Sequence, residues 1–220
     1  MQNFARQVFA STMEDSTLPP PPAGQVYTVA VLLATISLIL LLLILPPLFW
    51  HFRNRNIGAT SLVAWISTTL LLTIINAMLW STDDTAQWFN GKGLCDLEVK
   101  IMIASQVALP SSLAAVLRGL AAVLDTDRAT LTKTESQRRR DRIIDLSWCI
   151  GAPLLQMVFH ELVHFRRYYV YGISGCVPVL SNSWLSVLLI CVPPLIWTVV
   201  DIGYASKSFP LQREGPRANE

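Results

Sequence analysis

The sequence predicts an all-α protein, a polytopic transmembrane bundle of five helices. The first observation is composition, since 52% of the 220 residues are hydrophobic and 15% are charged, whereas a soluble domain carries roughly a quarter charged residues. The second is clustering, because two stretches of more than 20 residues contain no charged side chain. The net charge of +2 gives no indication of a nucleic-acid partner. The chain is therefore predicted to be an integral membrane protein.

Five segments are long and apolar enough to cross a bilayer, which takes about 20 residues of helix. They span residues 27–49, 57–80, 97–124, 143–163 and 183–204. The first two carry no charge, whereas the other three carry ionisable residues near their ends, where long side chains reach water. Because backbone polar groups must be paired in hydrocarbon, every span is predicted to be a helix. Residues 1–26 and 205–220 are polar and are predicted to lie outside the membrane.

The basic residues predict the orientation of the bundle. Alternate loops and the C-terminal segment together contain 11 Lys and Arg residues, whereas the N-terminal segment and the remaining loops contain four. In membrane proteins the cytoplasmic loops carry the excess of positive charge. The N-terminus is therefore predicted to lie outside the cell and the C-terminus inside.

This orientation places two of the four cysteines on the oxidising side of the membrane. Cys95 immediately precedes the third span, and Cys176 lies in the next outer loop, where a disulfide can persist. A Cys95–Cys176 disulfide is the prediction, and two free thiols are the alternative. Cys149 and Cys191 lie within spans and are predicted to be buried thiols.

The segment from His160 to His164 matches H-E-x-x-H, a helical motif that offers two imidazoles to zinc and a glutamate as general base. A catalytic zinc needs a third protein ligand, and Glu98 is the one candidate on the same side of the membrane. The motif leaves open an intramembrane zinc hydrolase that uses His160, Glu161 and His164. Ordinary interface residues are the alternative, and no metal, cofactor or enzymatic activity is predicted.

Several strings at the junctions of loops and spans carry a resemblance to a receptor family. They are RNRNIGA at 53–59, GLCDLEVK at 93–100, ALPSSL at 108–113, LRGLA at 117–121, RRRDRIIDL at 138–146, PLLQMV at 153–158 and RYYVYGISGCVP at 167–178. In order and position they closely resemble the fungal mating-pheromone receptors of the a-factor type. These are seven-helix G-protein-coupled receptors that detect lipidated peptide pheromones. The resemblance runs from about Tyr27 to about Tyr204.

The resemblance implies a seven-helix receptor fold, of which this chain contains five helices, in the plasma membrane. It implies recognition of a lipidated peptide pheromone outside the cell and coupling to a heterotrimeric G protein inside. Because the family has two further helices and a long cytoplasmic tail, the chain is predicted to be a receptor or a truncated fragment of one. The alternative is a non-signalling protein that binds and modulates a full-length receptor.

Aromatic residues cluster at the predicted outer boundary of the spans. An aromatic belt at the interface is common to membrane proteins, but the same side chains also suit an apolar, partly hydrated site for a lipidated peptide. The candidate ligand contacts are Trp80, Trp88, Phe89, Tyr168, Tyr169, Tyr171 and Trp184.

Basic residues cluster at the predicted inner boundary. Such residues determine topology and attract anionic membrane lipid, by about 1 kcal/mol for each residue near the surface. The resemblance adds contact with a G protein. The candidate G-protein-facing residues are Arg53, Arg55, Asp127, Arg128, Arg138, Arg139 and Arg140.

Polar residues within the spans are predicted to join helices. Arg118, Asp145 and Asp201 lie at a similar predicted depth near the inner face, where an ionisable group is unfavourable unless it is paired or reaches water. Arg118 is predicted to pair with Asp145 or Asp201, because a guanidinium can hold a carboxylate with two bonds. Separate contact of each side chain with water is the alternative. The residues of the second span predicted to hydrogen-bond between helices are Thr68, Thr69, Thr73 and Asn76.

Overall fold

The structure is a computed structural model that describes residues 26–82, 84, 88–124 and 134–214, with the side chains of 164–167 and 207–214 outside that description. Within these residues, five helices are long and apolar enough to cross a membrane, which confirms the predicted polytopic helical fold. They are α1 (Thr28–Arg53), α2 (Ile57–Leu79), α3 (Leu94–Leu124), α4 (Glu135–Val163) and α5 (Trp184–Glu214). The predicted N-terminal segment lies almost entirely outside the described residues.

Successive helices run in opposite directions and define two ends of the bundle. A short turn joins α1 to α2, with Arg55 in the left-handed region at a φ of 56° and the Asn56 side chain accepting a hydrogen bond from the backbone N–H of Ala59 at 3.2 Å. We call this end, which also carries Arg138 to Arg140 at the start of α4, the basic end. The opposite end carries a β-hairpin between α4 and α5 and is called the hairpin end.

The third helix lies at the centre of the bundle, because it contacts α2, α4, α5 and the hairpin. Small side chains make this possible by letting neighbouring backbones approach closely. A Cβ added at Gly58 of α2 would lie 3.1 Å from the Cβ of Ala115, and the hydroxyls of Ser61 and Ser112 are 2.9 Å apart. The small buried residues of α3 are Ala104, Ser105, Ala108, Ser111, Ser112, Ala114 and Ala115.

The fourth helix starts before the predicted span and is interrupted once. A capping box of Thr134 and Gln137 sets its first turn, since each side chain pairs with the other residue's backbone N–H. The helix widens into a π-helical turn at Ser147–Gly151, just before Pro153, which has no backbone N–H to donate. The helix ends at Val163.

A two-stranded antiparallel sheet, absent from the all-α prediction, connects α4 to α5. Strands β1 (His164–Tyr171) and β2 (Gly175–Leu180) pair with Val170 opposite Cys176 and Tyr171 opposite Gly175. β-Branched and aromatic residues are enriched in strands, and the sequence RYYVYG ends at a glycine that opens the turn. The fold is therefore a helical bundle that carries one hairpin at its end.

The fifth helix continues to Glu214, beyond the predicted end of the span at residue 204. Its first turn follows a group of serines, in which the hydroxyls of Ser181 and Ser186 are 2.6 Å apart. Pro193 and Pro194 lie within the helix without ending it, as transmembrane helices allow.

Candidate functional site

A disulfide anchors the hairpin to the start of α3. Cys95 in the first turn of α3 and Cys176 in β2 are bonded, with their Cα atoms 5.2 Å apart. Both residues are buried and pack against Trp80 and Val99. The two cysteines are 81 residues apart in the chain. Since Cys176 belongs to the connection between α4 and α5, the bond holds that connection against the start of α3.

Beneath the disulfide, a buried polar contact joins α2, α3 and the hairpin turn. The Asn76 side-chain amide donates to the carboxylate of Glu98 and to the backbone carbonyl of Ser174, the latter at 3.3 Å. Asn76 and Glu98 are only 5% and 4% exposed, so these bonds form away from solvent. Gly175 has a φ of 76°, and a Cβ there would overlap the Asn76 amide, so the turn requires glycine.

Asn76 is thus an interhelical hydrogen-bonding residue, as predicted for α2. The three threonines predicted beside it are not, because their hydroxyls donate within their own helix. Thr68 donates to Ala64, Thr69 to Ile66 and Thr73 to Thr69, each at 2.9 Å. A threonine on a helix reaches a carbonyl of the preceding turn and needs no partner on another helix.

The aromatic residues of the hairpin end divide into a buried group and an exposed group. Trp80 is fully buried and donates its indole N–H to the carbonyl of Phe89 at 3.2 Å. Half-buried Trp88 donates to Thr82 at 2.8 Å, and half-buried Tyr168 donates to Asn90 at 3.3 Å. Trp80 is therefore a core residue in this structure, not an accessible ligand contact. The exposed aromatics are Phe89, Tyr169, Tyr171 and Trp184.

The exposed group covers the hairpin and the adjoining chain. Tyr169 and Tyr171 are 52% and 58% exposed and alternate along β1, so they lie on one face of the strand. Their ring centroids are 6.3 Å apart. Since β1 is paired with disulfide-bonded β2, these rings project from an anchored surface.

The H-E-x-x-H motif does not form the helical zinc site that its spacing permits. The helix ends at Val163 and the second histidine, His164, opens strand β1. The Glu161 carboxylate instead forms a salt bridge with Lys100 of α3 at 2.8 Å. Among the described residues, the group of three possible metal ligands that lie together is Cys95, Glu98 and Cys176, and its two sulfurs are bonded to each other.

At the basic end, Arg118 of α3 is held by two carboxylates of α4. Its guanidinium is 2.6 Å from Asp145 Oδ1 and 3.2 Å from Asp141 Oδ1, and it also donates to the Asp141 carbonyl. Asp201 does not take part in this pairing, and its buried Oδ1 has no hydrogen-bond partner among the described residues. Asp141 was not among the predicted partners, although it precedes Asp145 by four residues and so lies on the same helix face.

Aromatic rings extend this ion-pair cluster to α5. The guanidinium carbon of Arg118 lies 5.7 Å from the ring centroid of Trp148, within the range of a cation–π interaction. The Trp148 ring in turn contacts Trp197 edge-on at 5.2 Å and lies 6.3 Å from Tyr204. The parts of α3, α4 and α5 nearest the basic end are therefore joined through two side chains, Arg118 and Trp148.

The predicted G-protein-facing arginines are exposed wherever the structure describes them. Arg53 and Arg55 lie at the turn between α1 and α2, and Arg138 to Arg140 lie in the first turns of α4. Asp127 and Arg128 lie outside the described residues. The basic end thus presents arginines from two separate helix connections.

Comparison with known proteins identifies the chain's relatives. A family described as "Pheromone A receptor" matches residues 32–210. The chain is 30% identical over 171 residues to the pheromone a factor receptor of Saccharomyces cerevisiae. It is 29% identical over 175 residues to pheromone receptor 1 of Mycosarcoma maydis, and 26% identical over 165 residues to the pheromone M-factor receptor of Schizosaccharomyces pombe.

These alignments cover 78%, 79% and 74% of this chain but 36%, 47% and 43% of the respective relatives. The chain therefore spans less than half of the length of these relatives. No solved structure matches it.

Proposed function

The chain belongs to the pheromone A receptor family, and we propose that it recognises a lipidated peptide pheromone at its hairpin end and couples to a heterotrimeric G protein at its basic end. The observation that carries the proposal is the separation of two surfaces on a multi-pass bundle. Exposed aromatic rings lie on the disulfide-anchored hairpin, and exposed arginines lie at the other end.

The chemistry of the hairpin end suits an amphipathic ligand. A lipid chain on a peptide partitions to the membrane interface, where aromatic side chains offer an apolar face and a polar edge. Tyr169 and Tyr171 stand beside each other on β1, and the disulfide reduces the ordering that ligand binding would require.

The chemistry of the basic end suits a protein partner with an acidic surface. The candidate arginines at 53, 55 and 138 to 140 are exposed there, and guanidinium groups bind carboxylates with paired hydrogen bonds. The same excess of positive charge supports a cytoplasmic location for this end. The proposed localisation is therefore the plasma membrane, with the hairpin end and the N-terminus outside.

Ligand recognition is tested with the 220-residue chain in nanodiscs and a fluorescent farnesylated peptide. We expect the farnesylated peptide to bind and the same peptide without farnesyl to bind much more weakly. Replacing Tyr169 and Tyr171 by Ala should weaken binding about tenfold, since two aromatic contacts contribute roughly 1–2 kcal/mol. The matched control is Leu162→Ala, an exposed apolar residue of α4. Equal binding of both peptides contradicts the lipid requirement.

G-protein coupling is tested by co-purification of the chain with a heterotrimer from nanodiscs. Arg138→Glu with Arg139→Glu should abolish retention of the heterotrimer, because it reverses the charge of the exposed surface. Lys92→Glu, an exposed charge reversal at the hairpin end, is the control and should retain it. If the native chain and both variants retain the heterotrimer equally, the arginine surface does not bind it.

Orientation is tested by labelling of single cysteines in intact cells. In a Cys191→Ser background, a cysteine at Lys92 should react with an impermeant reagent and a cysteine at Arg138 should not. The reverse pattern places the basic end outside.

A second candidate function is association with a full-length receptor. The exposed apolar faces of α1 and α5, which include Leu43 and Val199, offer a surface to other helices as well as to lipid. Co-expression with a full-length family member should then give a cross-linked pair through a cysteine at Val199 and should change that receptor's response to pheromone. An unchanged response and no cross-link exclude this function.

A further inference from the structure

The fifth helix contains two adjacent prolines in the middle of its apolar segment, Pro193 and Pro194. Proline has no backbone N–H, so each one removes the hydrogen bond that a helix makes to the carbonyl four residues earlier. The two carbonyls that lose their helical donors belong to Leu189 and Ile190. In a bilayer no water replaces these donors, so the carbonyls must find other partners.

The side chain of Gln156 on α4 provides that partner. Its Nε2 lies 3.3 Å from the carbonyl oxygen of Leu189 and 3.3 Å from that of Ile190. An amide nitrogen carries two hydrogens, so a single side chain serves both carbonyls. Gln156 is 1% exposed, and the contact therefore lies between the helices rather than on their surface.

We propose that Gln156 is a positioning residue that holds α5 at its proline pair, by supplying the two hydrogen bonds that Pro193 and Pro194 remove. The contact belongs to the internal packing of the bundle and does not depend on the proposed ligand or G protein. It explains why a polar side chain is completely buried opposite a helix segment whose side chains are apolar. The prolines and the glutamine form one unit contributed by two helices.

The location of this unit gives it a consequence for the whole of α5. Toward the hairpin end, Ser181 attaches the start of α5 to α4, because its N–H donates to the Val163 carbonyl at 3.0 Å and its hydroxyl is 2.6 Å from that of Ser186. Toward the basic end, Trp197 and Tyr204 contact Trp148. The proline pair lies between these two attachments, at the point where a helix bends most readily. Gln156 thus sets the direction of the inner half of α5 relative to α4.

The first test is a thermodynamic cycle on the 220-residue chain in nanodiscs. Gln156→Met keeps the length of the side chain but removes both donors, and we expect the thermal midpoint to fall by about 2–4 °C. Pro193→Ala with Pro194→Ala restores both backbone N–H groups. In that background Gln156→Met should lower the midpoint by less than half as much, because the carbonyls are already paired. An equal fall in both backgrounds overturns the proposal and makes Gln156 a packing residue.

The second test reads the hydrogen bond directly and needs no proline variant. Ile190–Cys191 is the one Ile-Cys dipeptide in the chain, so carbon-13 at isoleucine carbonyls and nitrogen-15 at cysteine select the Ile190 carbonyl in an NMR spectrum. Gln156→Met should move this carbonyl resonance upfield, as loss of a hydrogen bond does. The control is Met157→Leu, next to Gln156 on the same helix, which should leave it in place. No movement with Gln156→Met overturns the proposal, whether or not the alanine background folds.

Discussion

The two ends of this bundle are held together by different kinds of interaction. At the hairpin end, a disulfide and the buried contact of Asn76 with Glu98 join three elements away from solvent. At the basic end, Arg118 binds two carboxylates whose side chains are 22% and 33% exposed. The first set is covalent or buried, and the second is partly exposed.

This difference shows where the molecule resists rearrangement and where it permits it. A disulfide and a buried hydrogen bond have no alternative partners, so the hairpin end keeps one geometry. An ion pair near the surface is weakened by salt and can exchange partners. The ion pairs of the basic end are therefore easier to rearrange than the contacts of the hairpin end.

The largest expected effect is the loss of the disulfide. Replacing Cys95 and Cys176 by Ser should lower the free energy of unfolding by about 2–4 kcal/mol, because the bond restricts the unfolded chain. Unfolding in mixed micelles measures it. The control is Cys191→Ser, which removes a free thiol that was predicted to be buried but is exposed in this structure. If the native chain has the same stability with and without reductant, the bond is not a source of stability.

The next effect is the loss of the buried amide. Asn76→Leu should lower the free energy of unfolding by about 3 kcal/mol, since it leaves the buried Glu98 carboxylate without its side-chain donor. Thr73→Val is the matched control on the same helix, because the Thr73 hydroxyl bonds only to its own helix. Equal effects of the two substitutions in the same micelle titration contradict a special role for Asn76.

A smaller effect is expected at the basic end, and it tests which partner Arg118 has. Arg118→Asp should lower the free energy of unfolding by about 2 kcal/mol and reduce surface expression, because it places like charges together. Adding Asp145→Arg should restore much of the loss, since these residues are 2.6 Å apart. Adding Asp201→Arg should not. If Asp201→Arg restores the loss and Asp145→Arg does not, Arg118 pairs with Asp201 and not with Asp145.

The smallest effect is expected for the salt bridge of Lys100 with Glu161, whose side chains are 48% and 47% exposed. Glu161→Gln should change the free energy of unfolding by no more than about 1 kcal/mol, and the difference should shrink at high salt. The same variant tests the zinc alternative, because zinc content should not change. Loss of bound zinc from purified protein on this substitution would reinstate the H-E-x-x-H site.

The five helices were predictable because length and hydropathy decide whether a segment crosses a bilayer, and neither depends on the rest of the fold. The hairpin was not predictable in the same way. The Cys95–Cys176 bond that anchors it was predicted and is present. Its geometry also depends on a glycine turn that seats Ser174 over Asn76, and these two residues are far apart in the chain.

For the candidate site residues too, the sequence indicated the kind of interaction and helix packing selected the partner. The depth of Arg118 in its span indicated an ionic partner on α4 or α5, but only helix packing selected Asp145 and added Asp141. Composition indicated an aromatic cluster, but packing decided that Trp80 is buried and that Tyr171 is exposed. The partner of Gln156 could not be predicted either, since it consists of two backbone carbonyls on another helix. These carbonyls need a donor because the prolines of that helix have no N–H.

By itself, the sequence determined that this protein crosses the membrane, how many helices do so among the described residues, and which side chains are polar enough to need a partner. The physical reason is that transfer of a helix into hydrocarbon depends on the residues of that helix alone. The tertiary structure decided which partners those side chains found. A hydrogen bond or an ion pair depends on distances of about 3 Å, and between helices such distances are set only when the whole bundle packs.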